Sequence, residues 1–372
     1  MRSQDNALIA IKNLIRTILS FEKGEKKYHK LKERKEIFSK INIEINLCKK
    51  EDIFNVIKRH KLLGFIHNNK LIKYYLPSFY DEINKLYLPY FKKNLKQLHF
   101  LKQTSLLLKE NNIKFIVFKG IPLSIQSRGS ITERESGDID IFVDTKNLNK
   151  TIKLLEMNGF KKNHKYLPNN FSTIWGKLCS FIFYELTFTK EIKGSIYSLD
   201  LHWKLSLFQG NLPSFEKAWD SSEIIKVNNL TINSLNRYHS LIHSCAHAAK
   251  DRWMSINSLL DIYFLKEILN EEPNKLRNIH EIVFGLIALS ELTGKDYNYI
   301  KENKLIKKYI YKTIEKSQNL PIKSNKYSKF IFLNIILELL HKYIITFKFK
   351  DRLLILIHLF WGILKILFFK LI

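Results

Sequence analysis

The chain has 372 residues, which is enough for a sizeable hydrophobic core and for more than one domain. Hydrophobic residues make up 45% of it, an ordinary share that excludes disorder along most of its length. The formal net charge of +27 is unevenly spread: residues 1–112 carry 24 basic and 11 acidic side chains, residues 113–303 carry 24 and 21, and residues 304–372 carry 14 and 3. Because the middle is nearly neutral, we expect a catalytic module there, between two basic flanks.

The first segment of the chain, residues 1–112, has the pattern of a helical region. Apolar residues recur every three or four positions in IAIKNLIRTILSF and again in LKQLHFLKQTSLLLKE. The pair Asn111-Asn112 is a good helix end, because asparagine tolerates the backbone that terminates a helix. The same region has no uninterrupted apolar stretch at its start, so we expect no secretory leader.

Residues 113–211 change pattern and predict a small α+β core. β-branched and aromatic residues dominate four short runs, which we interpret as strands. The second run is followed by Asp144, a good N-cap for the next predicted helix, which Gly159 would end. The last two runs are separated by EIKG and predict a hairpin. The four predicted strands cover residues 113–118, 138–143, 180–189 and 195–203.

Residues 212–350 predict a second helical domain, with the longest helical pattern in RYHSLIHSCAHAAKDRWMSINSLLDIYFLKEIL. Residues 351–372 form a separate apolar and basic segment in which Lys365 interrupts the apolar run. That length and charge favour packing against the protein's own core, or lying at a membrane surface with Trp361 and Phe368 towards lipid, over spanning a bilayer.

Two carboxylates stand at the start of the second predicted strand, in the stretch RESGDIDIFVD. Because side chains alternate along a strand, Asp138 and Asp140 point to the same face. Like charges at that separation resist joint ionisation, and a divalent cation removes the difficulty. Carboxylate oxygens are the ligands that Mg²⁺ prefers, usually together with substrate phosphates. Gly137, directly before the pair, would allow a tight turn or the close approach of a phosphate.

The segments on either side strengthen this interpretation. Gly120 follows a strand and opens a helix, which makes an anion site from backbone N–H groups. Lys119 and Arg134 carry positive charge suited to a triphosphate, and Ser136 offers a hydroxyl. On a later strand, LDLHW supplies a third carboxylate in Asp200 and, on the same face, His202. Three carboxylates would complete a two-metal site for an in-line displacement.

These pieces, FKG, RESGDIDIFVD and LDLHW, together resemble the nucleotidyltransferase superfamily with a DNA polymerase β-like core. More narrowly, they resemble the bacterial family of uncharacterised nucleotidyltransferases, whose members continue with a histidine-rich helix such as HSCAHAAKDRWMSINSLLD. The resemblance covers roughly residues 95–265 and extends to abortive-infection toxins. It implies an α+β fold: a polymerase β-like nucleotidyltransferase core, with a small mixed sheet, flanked by N- and C-terminal helical regions. One departure is that Lys119-Gly120-Ile121 stands where the broad superfamily has Gly-Ser, which leaves the orientation of the nucleotide open.

The resemblance implies an NTP as donor and two Mg²⁺ ions, which Mn²⁺ could replace. Asp138 and Asp140 would bind both ions, and Asp200 would bind the catalytic ion and help to activate the acceptor hydroxyl. His202 would either orient Asp200 or simply pack. The nucleotide-binding residues would be Lys119, Gly120, Arg134, Ser136, Gly137 and His202.

A further pattern is the series His239, His243 and His247, which lies on one face of the predicted helix. A zinc site would need a glutamate or cysteine partner at metal spacing, and none is present, so we expect these side chains to pack. The resemblance places His247, or Asp261 further along, near the substrate pocket.

The sequence leaves the acceptor and the choice of NTP open. A small molecule, a sugar or a macromolecule would all serve as the hydroxyl acceptor. One alternative is a toxin-like enzyme that acts on tRNA or other RNA through the basic flanks, although lysine-rich flanks are more often solvated faces. A second alternative is a catalytically inactive protein at the membrane surface. The three widely spaced cysteines, Cys48, Cys179 and Cys245, predict a cytoplasmic location, with peripheral contact at the inner face of the membrane through 351–372 as an addition.

Overall fold

The protein is described here from a computed structural model. The structure describes residues 2–22, 31–163, 168, 170–207, 209–269, 276, 278–295, 297, 304–319 and 341. The predicted apolar segment 351–372 lies outside the described residues. No helix in the described part of the chain combines the length and the hydropathy needed to cross a membrane.

The N-terminal region is helical, as its apolar periodicity predicts. The long helix that leads to the sheet has a proline, Pro77, in its first turn and ends at Glu110, with Asn111 as its C-cap, as expected. Asn112 then takes a positive φ of 52°, which turns the chain towards the first strand. The helices are α1 Arg2–Glu22, α2 Leu31–Leu47, α3 Lys50–Arg59, α4 Leu63–Asn68, α5 Lys70–Tyr75 and α6 Pro77–Glu110.

The middle of the chain forms a five-stranded sheet of order β1-β2-β5-β4-β3. The strand β2 pairs with β5 in parallel, and every other neighbouring pair in this sheet is antiparallel. The α+β class predicted from the sequence is confirmed. The elements are β1 Phe115–Phe118, α7 Gly120–Arg128, β2 Ile139–Val143, a 3₁₀ turn Thr145–Asn147, α8 Leu148–Met157, β3 Lys161–Lys162, α9 Ile174–Ile182, β4 Glu185–Ile192 and β5 Ser195–His202.

The predicted strand over residues 180–189 was placed too early. A helix, α9, continues to Ile182, and β4 begins only at Glu185. The side chain of Thr173 caps this helix by accepting a hydrogen bond from the backbone N–H of Gly176 at 3.0 Å. The packed face of the helix is formed by buried residues three positions apart, Gly176, Cys179 and Ile182. The aromatic residues around them favoured the prediction of a strand.

Helices dominate the C-terminal region, with one two-stranded sheet that the sequence analysis missed. Its strands alternate buried and exposed residues, and Asn228 takes a positive φ of 50° in the turn between them. The long predicted helix 237–269 is two helices, because Arg252 and Trp253 take positive φ values of 57° and 52° and Trp253 is fully buried. The elements are α10 Phe215–Asp220, β6 Glu223–Val227, β7 Leu230–Ser234, α11 Arg237–Lys250, α12 Ile256–Leu269, α13 His280–Thr293 and α14 Lys304–Gln318.

Two hydrophobic cores meet at the five-stranded sheet. Helices from both ends of the chain share one core, and the second core lies between the sheet, α6, α8 and the β6–β7 hairpin. Along β2 the side chains alternate between them: Phe142 packs in the helical core, whereas Ile141 and Val143 pack in the other. Asp140 is two residues before Phe142, so its side chain lies on the same face of β2 and points towards the helices. The predicted boundaries at residues 112, 211 and 350 stay a prediction.

Candidate active site

Two carboxylates from distant parts of the sequence lie side by side on the helix-facing side of the sheet. The parallel register of β2 and β5 pairs Asp140 with Asp200, and it pairs Phe142 with His202. One ligand atom from each of Asp140, Asp200 and His202 lies within 4.8 Å of the others. Within the described residues this is the group of side chains arranged to hold a metal ion.

Asp138 stands immediately before β2 and is half-buried, outside this group of three. Burial raises its pKa above the ordinary value, and the negative charge of Asp140 raises it further. Lys119 and Lys61 act in the opposite direction. The structure therefore places Asp138 close enough to Asp140 for the two charges to interact, and the shared strand face stays a prediction.

Asp200 has the clearest unsatisfied hydrogen-bond acceptor in the site. Its Oδ1 is buried and has no hydrogen-bond partner. Burial, reinforced by the charge of Asp140, raises the pKa of Asp200 to about 6, although a hydrogen bond from Thr187 works against the shift. A buried carboxylate oxygen without a donor is expensive, so this atom is suited to a cation that the described residues do not supply.

Asp140 is more deeply buried than Asp200, and it is compensated by protein groups. Lys119 Nζ donates to Asp140 Oδ1 at 2.7 Å, and His202 Nε2 lies 3.1 Å from the same oxygen. Burial by itself would raise the pKa of Asp140, but Lys119 and His202 outweigh it and hold that pKa well below its usual range. Asp140 therefore stays ionised.

His202 is fully buried, and its contact differs from the predicted one. The sequence pattern offered a choice between orienting Asp200 and packing, whereas the imidazole bonds Asp140. Its Nε2 also lies 3.4 Å from Glu185 Oε2, because the β4–β5 register sets Glu185 opposite His202. The edge of Phe118 packs on the ring, with centroids 4.9 Å apart. Glu185 was missed because its proximity depends on strand register.

The turn from β1 into α7 has a strained backbone, and it brings a lysine and the N-terminus of α7 to the site. Lys119 has φ 58° and ψ −155°, and Gly120 has φ 42°, in the region that glycine tolerates best. A Cβ on Gly120 would lie 2.8 Å from Ser136 Oγ, so the glycine also makes room for the buried serine. Ser136 Oγ donates to the backbone carbonyl of Asp138 at 3.1 Å.

Gly137 has no comparable conformational requirement. Its backbone is not in the positive-φ region, and a Cβ there would meet nothing within 4 Å. The choice between a tight turn and the close approach of a phosphate, which the sequence left open at this glycine, stays a prediction. The open space in front of it leaves the expected approach of a phosphate as a proposal.

Arg134, predicted to contact a triphosphate, is held by a carboxylate from α12. Its Nε donates to Asp261 Oδ2 at 2.9 Å, while Arg128 Nη2 donates to Asp261 Oδ1 at 2.8 Å. The charges of Asp140 and Asp138 also act on Arg134, so its guanidinium lies near the carboxylate site. Asp261 therefore contacts Arg134, and the place near the substrate pocket that the family resemblance implied for it stays a prediction.

The three histidines of α11 do not form a metal group with one another among the residues that the structure describes. His243 is buried with its ring against Phe118, centroids 5.1 Å apart, and burial lowers its pKa well below the usual value. His247 Nδ1 lies 3.3 Å from Asp251 Oδ2, and His239 Nδ1 lies 3.4 Å from the hydroxyl of Ser221. His243 follows the packing interpretation.

Carboxylates on adjoining parallel and antiparallel strands, beside a lysine and a helix N-terminus, are the arrangement expected of a phosphoryl-transfer enzyme. The chain matches the family model described as uncharacterised nucleotidyltransferase over residues 49–280. It therefore belongs to this family, and the nucleotidyltransferase class predicted from the sequence is confirmed.

Comparison with solved structures returned two nucleotidyltransferase-related proteins. The lincosamide antibiotic adenylyltransferase LnuA, solved with lincomycin, is 18% identical, with a TM-score of 0.32 over 46% of this chain and 96% of that one. An antigenic nucleotidyltransferase-like protein from Paracoccidioides brasiliensis is 14% identical, with a TM-score of 0.34 over 54% of this chain and 88% of that one. A search of the curated proteins found no match.

Proposed function

We propose that the protein is a Mg²⁺-dependent nucleotidyltransferase that moves a nucleoside monophosphate from an NTP to a hydroxyl acceptor and releases pyrophosphate. The observation that carries the proposal is the in-register pair Asp140 and Asp200, with the buried, unpaired Oδ1 of Asp200. Family membership gives the reaction class, and the carboxylates support a divalent cation.

The donor set fits a hard divalent cation. Asp140, Asp200 and the adjacent Asp138 offer carboxylate oxygens, which suit Mg²⁺ and also Mn²⁺. His202 bonds Asp140 in the structure, which supports a role in orienting that carboxylate. Bound divalent ions would offset the charge of the phosphates and of the attacking oxygen.

The chain's own residues then bind and orient the donor. Lys119 neutralises Asp140 in the structure, and we propose that it bonds a phosphate oxygen once a cation shares that carboxylate. The backbone N–H groups of Gly120 and Ile121, at the start of α7, favour an anion. Arg134 and the hydroxyl of Ser136 complete the proposed triphosphate site, and Gly137 leaves room for it.

In the transfer step, the acceptor oxygen forms a bond to the α-phosphorus of the NTP. The bond from that phosphorus to the oxygen bridging to the β-phosphorus breaks, and pyrophosphate leaves. The acceptor proton passes to the carboxylate of Asp200, which acts as the base of this step. Positioning and charge neutralisation are sufficient for such a reaction.

Calorimetry tests the cation and the donor together. Each of the four NTPs is titrated with and without Mg²⁺ into wild type, Asp138→Ala and Asp144→Asn. Asp144 is a matched control, because it caps the 3₁₀ turn at the other end of β2 by accepting from Lys146 N at 2.9 Å, and asparagine can keep this bond.

We expect Mg²⁺-dependent binding of at least one NTP by wild type and Asp144→Asn, and binding weaker by about tenfold or more in Asp138→Ala. Asp138→Ala should also abolish transfer without unfolding the protein. Retained turnover in Asp138→Ala would contradict the metal assignment, and the absence of NTP binding by wild type would contradict the donor.

The acceptor separates this proposal from its toxin-like version. If the acceptor is tRNA or another RNA, the basic flanks should bind phosphates, and the affinity should fall steeply as salt rises. A flat salt response would leave a small molecule or a sugar as acceptor. The inactive membrane-surface alternative rests on residues 351–372, and fractionating cells that carry the chain with and without this segment tests it independently of activity.

A further inference from the structure

Arg134 is anchored to the protein through one side of its guanidinium. Its Nε donates to Asp261 Oδ2 at 2.9 Å, and within the described residues its two outer nitrogens have no protein partner. The side chain is 15% exposed, whereas Asp261 is 2% exposed. An arginine held at Nε keeps its outer N–H groups available for a second anion.

The segment that carries Arg134 is fixed from three helices. From α6, Asn94 Nδ2 donates to the carbonyl of Arg134 at 3.4 Å. From α7, Arg128 Nη1 donates to the carbonyl of Glu133 at 2.7 Å. From α12, Asp261 accepts the hydrogen bond of the Arg134 guanidinium. The backbone and the guanidinium are therefore both held, which limits the directions in which the outer nitrogens point.

The two arginines of this cluster differ in their surroundings. Asp261 is a single carboxylate that both of them bond, and Arg128 is fully buried. Arg128 also donates to Asn257 Oδ1 at 2.7 Å, and the charge of Glu133 acts on it as well. The guanidinium of Arg134 is partly exposed and lies near Asp138 and Asp140. A partly exposed guanidinium beside a carboxylate metal site is suited to the phosphates of a substrate.

We propose that Asp261 is a positioning residue that aims the outer nitrogens of Arg134 at the β- and γ-phosphates of the NTP, the part that leaves as pyrophosphate. This inference rests on the proposed function of the same site. It adds α12, which lies 127 residues after Arg134, to the parts of the chain that determine triphosphate affinity.

A binding experiment on purified full-length protein separates positioning from folding. The probes are the Mg²⁺ complex of the NTP that wild type binds best, the Mg²⁺ complex of inorganic tripolyphosphate, and the matching NMP. The variants are Asp261→Asn, Arg134→Gln, their double mutant, and the control Asn257→Ala. Asn257 bonds Arg128 within the same buried cluster and does not touch Arg134, so its loss reports structural damage alone.

Asp261→Asn and Arg134→Gln should each weaken NTP and tripolyphosphate binding on the order of 10- to 100-fold, the usual effect of lost charge-assisted bonds. Binding of the NMP should stay within about twofold, since it lacks the β- and γ-phosphates. The double mutant should bind tripolyphosphate no more weakly than Arg134→Gln, because Asp261 acts through Arg134. Asn257→Ala should lower the melting temperature without this loss of affinity.

Any one of the following results would overturn the inference. Asp261→Asn that binds tripolyphosphate as wild type does, or additive losses in the double mutant, would show that Asp261 does not act through Arg134. An equal loss in Asn257→Ala would show structural damage only. If Asp261→Asn fails to fold, Arg134→Gln decides the matter, since its unchanged tripolyphosphate affinity would also be fatal. Wild type that binds no NTP at all would remove the proposed function together with the inference.

Discussion

Replacing Asp200 by asparagine should make the protein more stable when divalent cations are absent. The reason is the buried Oδ1 without a donor, together with the neighbouring charge of Asp140, which raises the pKa of Asp200 from 3.8 to about 6. Each pKa unit corresponds to about 1.4 kcal/mol, so ionised Asp200 costs the folded state on the order of 3 kcal/mol. Asparagine has nearly the same shape and carries no charge.

The sign of the pH dependence follows from the same shift. Because the pKa of Asp200 is higher in the folded protein than in the unfolded chain, the folded state binds the proton more tightly. Wild type therefore loses this stability as the pH rises from about 4 to about 6, and the loss is complete above that range. Asp200→Asn does not titrate, so its advantage over wild type should be small near pH 4 and largest above pH 7.

The assay is chemical and thermal unfolding in EDTA at several pH values. With an entropy of unfolding of roughly 2.1 cal/mol/K per residue, a gain of about 3 kcal/mol corresponds to a melting temperature about 4 °C higher for a chain of 372 residues. Asp81→Asn, an exposed carboxylate on α6, is the control and should change the melting temperature by less than about 1 °C. Added Mg²⁺ should stabilise wild type but not Asp200→Asn, because a ligand stabilises only the state that binds it.

Two outcomes would refute this reasoning. An Asp200→Asn protein less stable than wild type at pH 8 in EDTA would mean that the carboxylate is compensated by a group that we have not identified. A stability difference that is the same at pH 4 and at pH 8 would mean that the effect comes from shape and not from charge.

The remaining predictions concern the turn at the site and the thiols. Gly120→Ala should destabilise the protein by roughly 1 kcal/mol or more and reduce NTP affinity, because Gly120 has a φ of 42° and a Cβ there would lie 2.8 Å from Ser136 Oγ. Gly137→Ala should leave the stability unchanged, since a Cβ there meets nothing within 4 Å. Equal unfolding curves for the two variants would contradict the special requirement for glycine at position 120. Of the three cysteines, only Cys48 should react with a thiol reagent in the folded protein, because the other two are fully buried. Burial also raises the pKa of Cys48, so this reaction should be slow at neutral pH, and rapid labelling of all three thiols without denaturant would contradict the packing.

Local patterns in the sequence predicted most of the elements around the site. The alternation in DIDIFV predicted a strand, which begins at Ile139, one residue later than expected, so that Asp138 lies just before it. The hairpin turn after β4 also follows from local chemistry, whereas Asp144 caps the 3₁₀ turn Thr145–Asn147 and not, as the sequence had predicted, α8 itself. These features are readable because each depends on residues close to one another in the chain.

The partners within the site depend on the tertiary structure. Asp140 lies beside Asp200 only because β2 and β5 pair in parallel in one register, and a shift of one residue would turn one carboxylate to the other face. The same register places His202 next to Asp140, and the register of β4 and β5 places Glu185 next to His202.

The sequence by itself determined the chemical groups of this protein: three carboxylates, a lysine and glycine turn, and a family pattern that is specific for nucleotidyltransferases. The tertiary structure decided which charges compensate one another. Lys119 pairs with Asp140 and leaves Asp200 unpaired, and Asp261 holds Arg134 from α12. Such pairings join residues that are 21 to 127 positions apart, and local residue preferences carry no information about distances across the fold.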